Sequence, residues 1–325
     1  MSFRTRRYFK AVLVMSLLIQ MHIVESGYAG RKTKIAFTST RGGNPDIYVM
    51  DADGGNPRRV TTHDAEDGNP TWSHDGSKIA FVSNRNGGYI QIWVIDADGK
   101  NPIRLTDGVW DQHPAWSPDG KRIAYDVLLN PWDAGKWNRT IYVTDSDGRN
   151  IRQLIKEPAY DTHPSWSPDS KRIIFSSSRE DGTVEIYVME ADGRNQKRLT
   201  YNFGDNRHPT WSPDGKRIAF VHDFQIHVID SNGETQRKIT EKRWNTYPTW
   251  SPDSTTVAFE SWERHDAEHG IYTIDVRSGA FTQISEVHKR GDYEPDWLNT
   301  AGLAVSLAGS RITIWGRLKK IARRL

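Results

Sequence analysis

Three histidines stand in the same short motif at three places in the chain. His113, His163 and His208 each precede a proline at the start of a thirteen-residue stretch, and the three stretches read HPAWSPDGKRIAY, HPSWSPDSKRIIF and HPTWSPDGKRIAF. Neutral imidazole nitrogens bind Zn²⁺ at roughly 2.0–2.1 Å, and three such ligands plus a water form a catalytic set. If the three copies lie side by side in the fold, the motif could therefore hold a metal ion.

Cysteine chemistry is excluded, because the 325-residue chain contains no cysteine. There can be no disulfide, no thiolate metal site, no cysteine nucleophile and no lipid attached to an N-terminal cysteine. Carboxylates and histidines are plentiful, so their presence alone does not distinguish an enzyme from a binding protein. What these side chains can do depends on the structural elements that position them.

A long repeat organises the chain. Its marker is a tryptophan that is separated from the next one by 44, 50, 45, 39 and 47 residues in turn. These intervals suit a four-stranded propeller blade and are too long for leucine-rich or tetratricopeptide repeats. Large aromatics at a repeated position are expected to pack in the core. The marker residues are Trp72, Trp116, Trp166, Trp211, Trp250 and Trp297.

Each repeat unit is predicted to form four strands. A short strand that ends in the tryptophan is followed by an SPDG or SPDS turn, in which proline presets φ and aspartate tolerates the third position. Apolar segments such as RIAF and IYVM form the second and third strands, because β-branched and aromatic residues favour extended structure. After a DADG-like turn, segments such as RRVT form the outer strand. A calcium loop is the other interpretation of the DADG acids, but the later ligand positions are absent.

The two ends of the repeat region are predicted to share one blade. The first repeat starts with a second strand, KIAFTS from Lys34, and has no first strand of its own. The segment EPDW, residues 294–297, can supply that strand and would remove an exposed sheet edge. The predicted fold class is therefore an all-β, six-bladed propeller of four-stranded antiparallel blades, closed by a C-terminal strand that joins the N-terminal blade.

The repeated pattern PxWSPDGKRIAF, IYVMDADG, RRLT resembles the WD40-like (PD40) repeat of the TolB propeller domain. It is similar also to the propellers that precede the hydrolase domain of prolyl-oligopeptidase-type peptidases. The resemblance covers residues 34–299 and implies a propeller whose channel mouth can receive a partner. Two features depart from these families. Residues 1–33 are too few for the α/β domain that precedes the TolB propeller, so we expect no such domain here, and the chain lacks the G-x-S-x-G pentapeptide of the hydrolase domain.

The residue before each repeat proline is predicted to begin an innermost strand at the mouth of the central channel. This end of the propeller also carries the variable loops, whereas the two uniform turns share the other end. One interpretation makes the three histidines metal ligands, since lyases with similar repeats hold a metal in a propeller channel. In the other, each histidine hydrogen-bonds to a neighbouring blade, and no metal or other cofactor is assigned. The six predicted mouth residues are Asn69, His113, His163, His208, Tyr247 and Glu294.

Aromatic residues on the variable loops form a second candidate binding set. Beside the acids Asp111, Asp161 and Asp292 they would suit a peptide segment or a sugar. The alternative is that each ring fills the gap between two blades. The predicted binding aromatics are Trp110, Trp132, Trp137, Tyr160 and Trp244, and the same loops carry Phe203 and Trp262.

Residues 1–29 are predicted to form an export signal. A basic segment precedes the apolar stretch at residues 11–24, and the small residues Gly27 and Ala29 suit cleavage after Ala29. The fourteen residues of that stretch are too few to span a bilayer. The pair Arg6 and Arg7 also fits a twin-arginine signal, so the export route stays open. The segment predicts a periplasmic or secreted bacterial protein.

The chain is neutral without residues 1–29 and acidic without both terminal segments. Removing residues 1–29 leaves 40 basic and 40 acidic residues, and residues 311–325 hold six basic residues and no acid, so the remaining body carries −6. A body of that sign is a poor general binder of nucleic acid. The basic tail could touch anionic lipid or dock on the acidic body. The predicted domains are residues 1–29, 30–299 and 300–325.

Two functions are compatible with these features. The one we favour is an exported, monomeric, non-catalytic scaffold that binds a protein or a peptidoglycan-associated partner on its variable-loop face. The alternative is a metal-dependent polysaccharide lyase or hydrolase with a histidine-lined channel mouth. No nucleophile–base pair can be assigned from spacing, since the blades bring remote residues together.

Overall fold

A computed structural model of the chain describes residues 33–132, 138–180, 182–201, 204–263, 268–286, 288–289 and 291–299. Every regular element of these residues is a strand, and the strands form six antiparallel sheets. Among these residues, no helical segment has the length and apolar character needed to cross a membrane. The predicted export signal and the predicted basic tail lie outside the described residues.

Twenty-five strands build the six sheets. In chain order they are β1 (Lys34–Ser39), β2 (Asp46–Asp51), β3 (Arg58–Arg59), β4 (Asp67–Trp72), β5 (Lys78–Asn86), β6 (Tyr89–Asp96), β7 (Ile103–Arg104), β8 (Asp111–Trp116), β9 (Arg122–Leu128), β10 (Arg139–Asp145), β11 (Arg152–Gln153), β12 (Asp161–Trp166), β13 (Arg172–Ser177), β14 (Glu185–Glu190), β15 (Lys197–Arg198), β16 (Asn206–Trp211), β17 (Arg217–His222), β18 (Gln225–Asp230), β19 (Gln236–Lys238), β20 (Trp244–Trp250), β21 (Thr256–Trp262), β22 (Glu268–Asp275), β23 (Phe281–Gln283), β24 (His288–Lys289) and β25 (Asp292–Trp297).

Each sheet is a meander whose first strand is innermost. Five blades use consecutive strands, β4–β7, β8–β11, β12–β15, β16–β19 and β20–β23, and β24 adds a short pairing to β22. The first strands of neighbouring blades contact one another in a closed circuit that runs β4, β8, β12, β16, β20, β25 and back to β4. This circuit confirms the predicted six-bladed propeller.

The sixth blade joins the two ends of the described chain. Its strand order is β25-β1-β2-β3, so a strand from near residue 297 pairs with the strand that starts at Lys34. The register places Ile35 opposite Trp297 and Ala36 opposite Asp296. The predicted closure by the EPDW segment is therefore confirmed, and it leaves no open edge between the first and last blades.

The core lies between the blades, because each sheet is covered on both faces. In β1 the five residues after Lys34 are all buried, and β2 is buried along its whole length. One position of the second strand holds a fully buried phenylalanine in five blades, and Tyr125 takes that position in the sixth. Five of the six marker tryptophans are buried as well. Stacked blades thus supply the cover that strands apolar on both faces require.

The aspartates of the uniform turns accept backbone hydrogen bonds within the same turns. In the turn that follows Trp116, the N–H of Gly120 bonds to the carbonyl of Ser117 at 2.8 Å, and the Asp119 carboxylate accepts the N–H of Lys121 at 3.1 Å. In the second type of turn, Asp147 accepts the N–H of Arg149 at 3.1 Å. These contacts account for the turn acids without a bound ion.

Two strand boundaries differ from the predicted ones. The outer strands contain only two or three residues, which suits an edge that must not recruit another chain. The innermost strands begin earlier than predicted, at Asp67 in the case of β4, because pairing continues on both sides of an irregular residue. That irregular residue is a member of the predicted mouth set.

Candidate functional site

The six predicted mouth residues occupy one structural position in the six innermost strands. Each is the third residue of its strand, except that Tyr247 is the fourth residue of β20. The sequence predicted that these residues begin the innermost strands. The structure instead places them further along the strands, inside the channel. All six have a left-handed backbone, with φ between 47° and 54°. We call Asn69, His113, His163, His208, Tyr247 and Glu294 the channel ring.

A β-bulge at the channel ring explains the recurring His-Pro pair. The pairing register shifts across the ring residue and the proline that follows it, as between Thr162 and Ser165. Proline has no N–H to donate to the ladder, so it is tolerated where the ladder is interrupted. A left-handed backbone costs a residue with a β-carbon roughly 1–2 kcal/mol. Strain of this kind concentrates at functional positions, which makes the ring a candidate site.

Four ring side chains form a continuous stack. The ring centroids of His113 and His163 are 3.7 Å apart, those of His163 and His208 are 4.2 Å apart, and those of His208 and Tyr247 are 4.3 Å apart. The planes of His113 and His163 are 29° apart and those of His208 and Tyr247 are 10° apart, whereas His163 and His208 are tilted by 52°. The described residues include no group of three or more His, Asp or Glu side chains that could hold a metal ion.

One end of the stack is held by a carboxylate that the sequence analysis missed. Asp126, on β9, is fully buried and accepts a hydrogen bond from Nδ1 of His113 at 2.7 Å. The same oxygen accepts the backbone N–H of His163 at 3.1 Å, and the other oxygen pairs with Arg139. Asp126 lies within an apolar strand segment, RIAYDV. A charged residue in such a segment was the feature from which a role at the site could have been predicted.

The other ring members have different partners. Nδ1 of His208 lies 2.6 Å from the hydroxyl of Thr246 on the next blade. Glu294 accepts the hydroxyl of Thr38 and the backbone N–H of Asn69, both at 2.7 Å. Both ring nitrogens of His163 are buried without a hydrogen-bond partner among the described residues. The stack therefore combines contacts within a blade, contacts between blades and one unpaired imidazole.

Burial keeps the central histidines neutral. It lowers the pKa of His163 well below the usual 6.5, and the nearby His113 and His208 lower it further. Burial likewise lowers the pKa of His208 to about 3. Burial also raises the pKa of Tyr247, with Glu294 adding to the effect. At neutral pH His163, His208 and Tyr247 thus present uncharged rings.

A cavity of about 230 Å³ extends from the channel ring toward the uniform turns. Its lining consists of the ring, the repeat prolines, the marker tryptophans and turn residues such as His74 and Pro118, and it includes no variable-loop residue. One wall is acidic, because Glu294 and Asp296 both come from β25. Burial raises the pKa of Asp296 to about 7, although hydrogen bonds from the Trp72 N–H and two threonines oppose the shift.

The predicted loop aromatics in the described part of the chain lie in different surroundings. Trp110 and Tyr160 are half-buried beside the preceding strands, where the backbone of Trp110 bridges Ile90. Trp132, in contrast, is 81% exposed on the loop between β9 and β10. Trp244 begins β20 and stacks on another aromatic ring. The predicted residues Trp137 and Phe203 lie outside the described part of the chain.

The three acids expected beside the loop aromatics are not available to a ligand. Asp111, Asp161 and Asp292 are buried, with exposed fractions of 2% or less. Asp161 pairs with Arg179, and Asp292 pairs with Arg41. Burial raises the pKa of Asp111 to about 6. The expectation that these acids would face a peptide or a sugar was wrong, because they anchor the bases of the loops.

The variable loops expose aromatic residues that the predicted binding set left out. Tyr201, between β15 and β16, is 72% exposed, and Tyr89 and Phe224 at two strand hairpins are 46% and 48% exposed. Tyr89 follows Gly87 and Gly88, whose positive φ angles mark a tight turn. Tight hairpins expose the residues at their tips. Predicting two-residue hairpins in these segments would therefore have identified the exposed rings.

The sequence matches the family described as the TolB beta propeller domain (PD40) over residues 25–131 and 112–225, which together make up more than half of the chain. The "Tol-Pal system protein TolB" of Desulfosudis oleivorans is 41% identical over 54 residues, which are 17% of this chain and 12% of that protein. The match thus spans about an eighth of the length of this curated relative.

Two solved structures share the propeller. TolB from Acinetobacter baumannii aligns with a TM-score of 0.72 and 25% identity over 82% of this chain and 67% of that one. A putative TolB from Agrobacterium tumefaciens aligns with a TM-score of 0.62 and 23% identity over 78% of this chain and 88% of that one. Together with the repeat, the closing strand and the family match, these likenesses establish that the chain belongs to the TolB beta propeller domain family.

Proposed function

We propose that the protein is an exported, non-catalytic binding propeller that engages a protein partner of the bacterial cell envelope with its variable-loop face. The Desulfosudis oleivorans relative is named as a Tol-Pal system protein, which suggests an envelope partner for this chain as well. A peptidoglycan-associated protein and a periplasmic location fit the same proposal. Because a propeller fold is compatible with many functions, the proposal depends on which side chains are exposed at the surface.

The distribution of exposed apolar side chains carries the proposal. Among the described residues, seven large hydrophobic side chains are exposed, and four of them are on variable loops or hairpins at that end of the propeller. The other three lie in or beside outer strands, and none lies in an SPDG or DADG turn. Aromatic residues are enriched at protein interfaces. The four loop residues are Tyr89, Trp132, Tyr201 and Phe224.

The channel ring can supply specificity under the same proposal. A partner side chain that passes the ring from the loop face would contact its aromatic rings and the carboxylate of Glu294, and the cavity on the uniform-turn side of the ring would receive its end. Strained backbone at all six positions is consistent with a site that is kept for binding rather than for stability. The exposed aromatics would then anchor the partner around the channel.

A capture experiment with matched surface variants tests the proposal. The full-length protein, Trp132→Ser/Tyr201→Ser and Ile103→Ser/Ile151→Ser would each be used to capture partners from the envelope of the native cell. All four positions are exposed, so the variants should fold within about 0.5 kcal/mol of the wild type. We expect the wild type and the outer-strand variant to retain one partner that the loop variant loses. Equal capture by both variants would contradict the proposal.

The metal-dependent alternative has its own test. The wild type and His163→Asn would be compared by thermal unfolding with Zn²⁺, Mn²⁺ or Ni²⁺ present. Asparagine tolerates a left-handed backbone and already stands in the ring as Asn69, so the variant should fold. The binding proposal expects the same response in both proteins. A stabilisation of the wild type that His163→Asn abolishes would favour a metal site and an enzyme.

A further inference from the structure

Left-handed backbone outside the repeat pattern occurs at one place in the described part of the chain. Fifteen residues other than glycine have a positive φ. Six form the channel ring, four are asparagines after DADG-like turns and two are serines at the end of SPDS turns. The remaining three are Asp223, Phe224 and Arg243. The last three lie close together, because the carbonyls of Phe224 and Arg243 both accept hydrogen bonds from Asn245.

Phe224 occupies a position that favours glycine. With Asp223 it forms the two-residue turn between β17 and β18, and both residues have positive φ angles, 47° and 59°. Turns of this type usually read Asn-Gly, because a β-carbon at this φ costs roughly 1–2 kcal/mol. Phe224 is nevertheless 48% exposed. The fold gains little from an exposed ring on a strained backbone, which points to a role in binding.

Phe224 begins a row of four aromatic rings that crosses two blades. Its ring stacks on Trp244 with centroids 4.7 Å apart and planes 16° apart. Trp244 meets Trp262 edge to face at 5.8 Å, and Trp262 stacks on His269 at 4.7 Å. We call Phe224, Trp244, Trp262 and His269 the aromatic row. Phe224 stacks on Trp244 through one face and is 48% exposed, so its other face can receive a further ring.

A groove of about 820 Å³, lined by both apolar and charged residues, adjoins the aromatic row at Trp244. Five of its twelve lining residues are charged. Arg243 donates to the hydroxyl of Tyr272 at 2.9 Å and pairs with Glu263 at 3.0 Å, so its guanidinium is held in place. The lining acids outnumber the lining bases by three to two, which disfavours a polyanionic ligand. The charged residues are Asp223, Glu241, Lys242, Arg243 and Glu263.

We propose that the aromatic row and this groove form a binding site for a neutral pyranose oligosaccharide. The flat C–H face of a pyranose stacks on an aromatic ring, and carboxylates, amides and guanidinium groups bond to its hydroxyls. A peptide is less suited to the groove, because charged residues are depleted where protein interfaces are buried. The site shares Phe224 with the loop face proposed above for a protein partner, but the oligosaccharide binding does not depend on that partner.

Isothermal titration of the full-length protein with cellotetraose and with the tetramer of N-acetylglucosamine tests the site. We expect at least one tetramer to bind and Phe224→Asn to weaken that binding by roughly tenfold or more. Phe224→Tyr, which keeps the ring, should bind within about threefold of the wild type. Tyr89→Asn is the matched control, since it removes an exposed ring from another hairpin, and it should bind like the wild type.

Stability separates binding from a merely structural role. Because asparagine suits the left-handed position, Phe224→Asn should unfold at the same temperature as the wild type or higher. A lower unfolding temperature would mean that the ring serves packing and would overturn the proposal. The absence of binding by the wild type, unchanged binding by Phe224→Asn, or tighter binding of tetragalacturonate or of an aromatic peptide would overturn it as well.

Discussion

The carboxylate of Asp126 joins two neighbouring blades at the channel ring: one oxygen accepts both Nδ1–H of His113 at 2.7 Å and the backbone N–H of His163 at 3.1 Å. Because Nδ1 of His113 donates this bond, Nε2 carries no proton while the imidazole is neutral. The second oxygen pairs with the buried side chain of Arg139. Asp126 is thus a positioning residue for the histidine stack rather than part of its surface.

Replacing Asp126 should damage the fold strongly. In Asp126→Asn the buried Arg139 loses its opposite charge, and breaking a buried pair in this way costs about 3–5 kcal/mol. Urea unfolding would measure the loss. Asp147→Asn is the matched control, since Asp147 pairs with Arg149 at the surface, where such pairs contribute about 0–1 kcal/mol. Similar losses in both variants would contradict the role given to Asp126.

Asp296 should make stability depend on pH. Its native pKa is raised to about 7 from 3.8, so the folded state binds more protons than the unfolded state between these values. The wild type should therefore lose stability as the pH rises from 4 through 7. Asp296→Asn, which cannot ionise, should be more stable than the wild type at pH 8 by on the order of 2 kcal/mol.

Unfolding temperatures at pH 4 and pH 8 check this expectation. The advantage of Asp296→Asn should vanish at pH 4, where the carboxyl is protonated in the folded protein. Glu234→Gln, which removes an exposed carboxylate from a uniform turn, serves as the control and should show no such pH dependence. An Asp296→Asn variant that is less stable than the wild type at pH 8 would mean that the charged form is favoured in the channel.

The closing strand should contribute as much stability as an internal one. Trp297 is buried against the first blade, and Trp211 takes the same repeat position in the middle of the chain. Replacing either residue by alanine should cost about 3–5 kcal/mol, since each leaves a cavity of similar size. Urea unfolding of the two variants checks closure directly. If Trp297→Ala lost less than about 1 kcal/mol, β25 would not be packed as described.

Two variants of the serine that ends the SPDS turn should distinguish the cost of its backbone strain from the contribution of its hydrogen bond. Ser170 has a φ of 58°, and its hydroxyl accepts the backbone N–H of Asp119 on the preceding blade at 3.0 Å. Ser170→Ala keeps the strain and loses the bond, so it should cost about 1–2 kcal/mol. Ser170→Gly also relieves the strain and should be close to neutral. Equal losses on thermal unfolding would show that the strain is negligible.

The fold could be predicted from the sequence because each blade repeats the same local signals. The tryptophan spacing set the number of blades, and the unpaired KIAFTS strand together with the spare EPDW segment indicated closure. The bulge at the ring was not predicted, because the residues before each proline, such as DGN before Pro70, look like a loop. Only the pairing of Asp67 with Ser83 shows that the strand has already begun there.

The site was less predictable, because its contacts join residues from different blades. The stack of His113, His163 and His208 follows from the repeat, whereas the role of Asp126 depends on the register of a strand that looks apolar. The contact between Trp244 and Phe224 depends on how two adjacent blades meet at their loop ends. Sequence spacing places residues on a face, but it does not give the distances between faces.

Site-specific photocrosslinking tests the central claim, that the variable-loop face holds a protein partner, most directly. A photoreactive amino acid would replace Tyr201 on that face or Lys121 in an SPDG turn at the opposite end, and cells that produce the protein would be irradiated. Both positions are exposed, so neither substitution should alter the fold. The account predicts a discrete protein adduct from position 201 and none from position 121. An adduct from position 121 alone, or equal adducts from both positions, would contradict it.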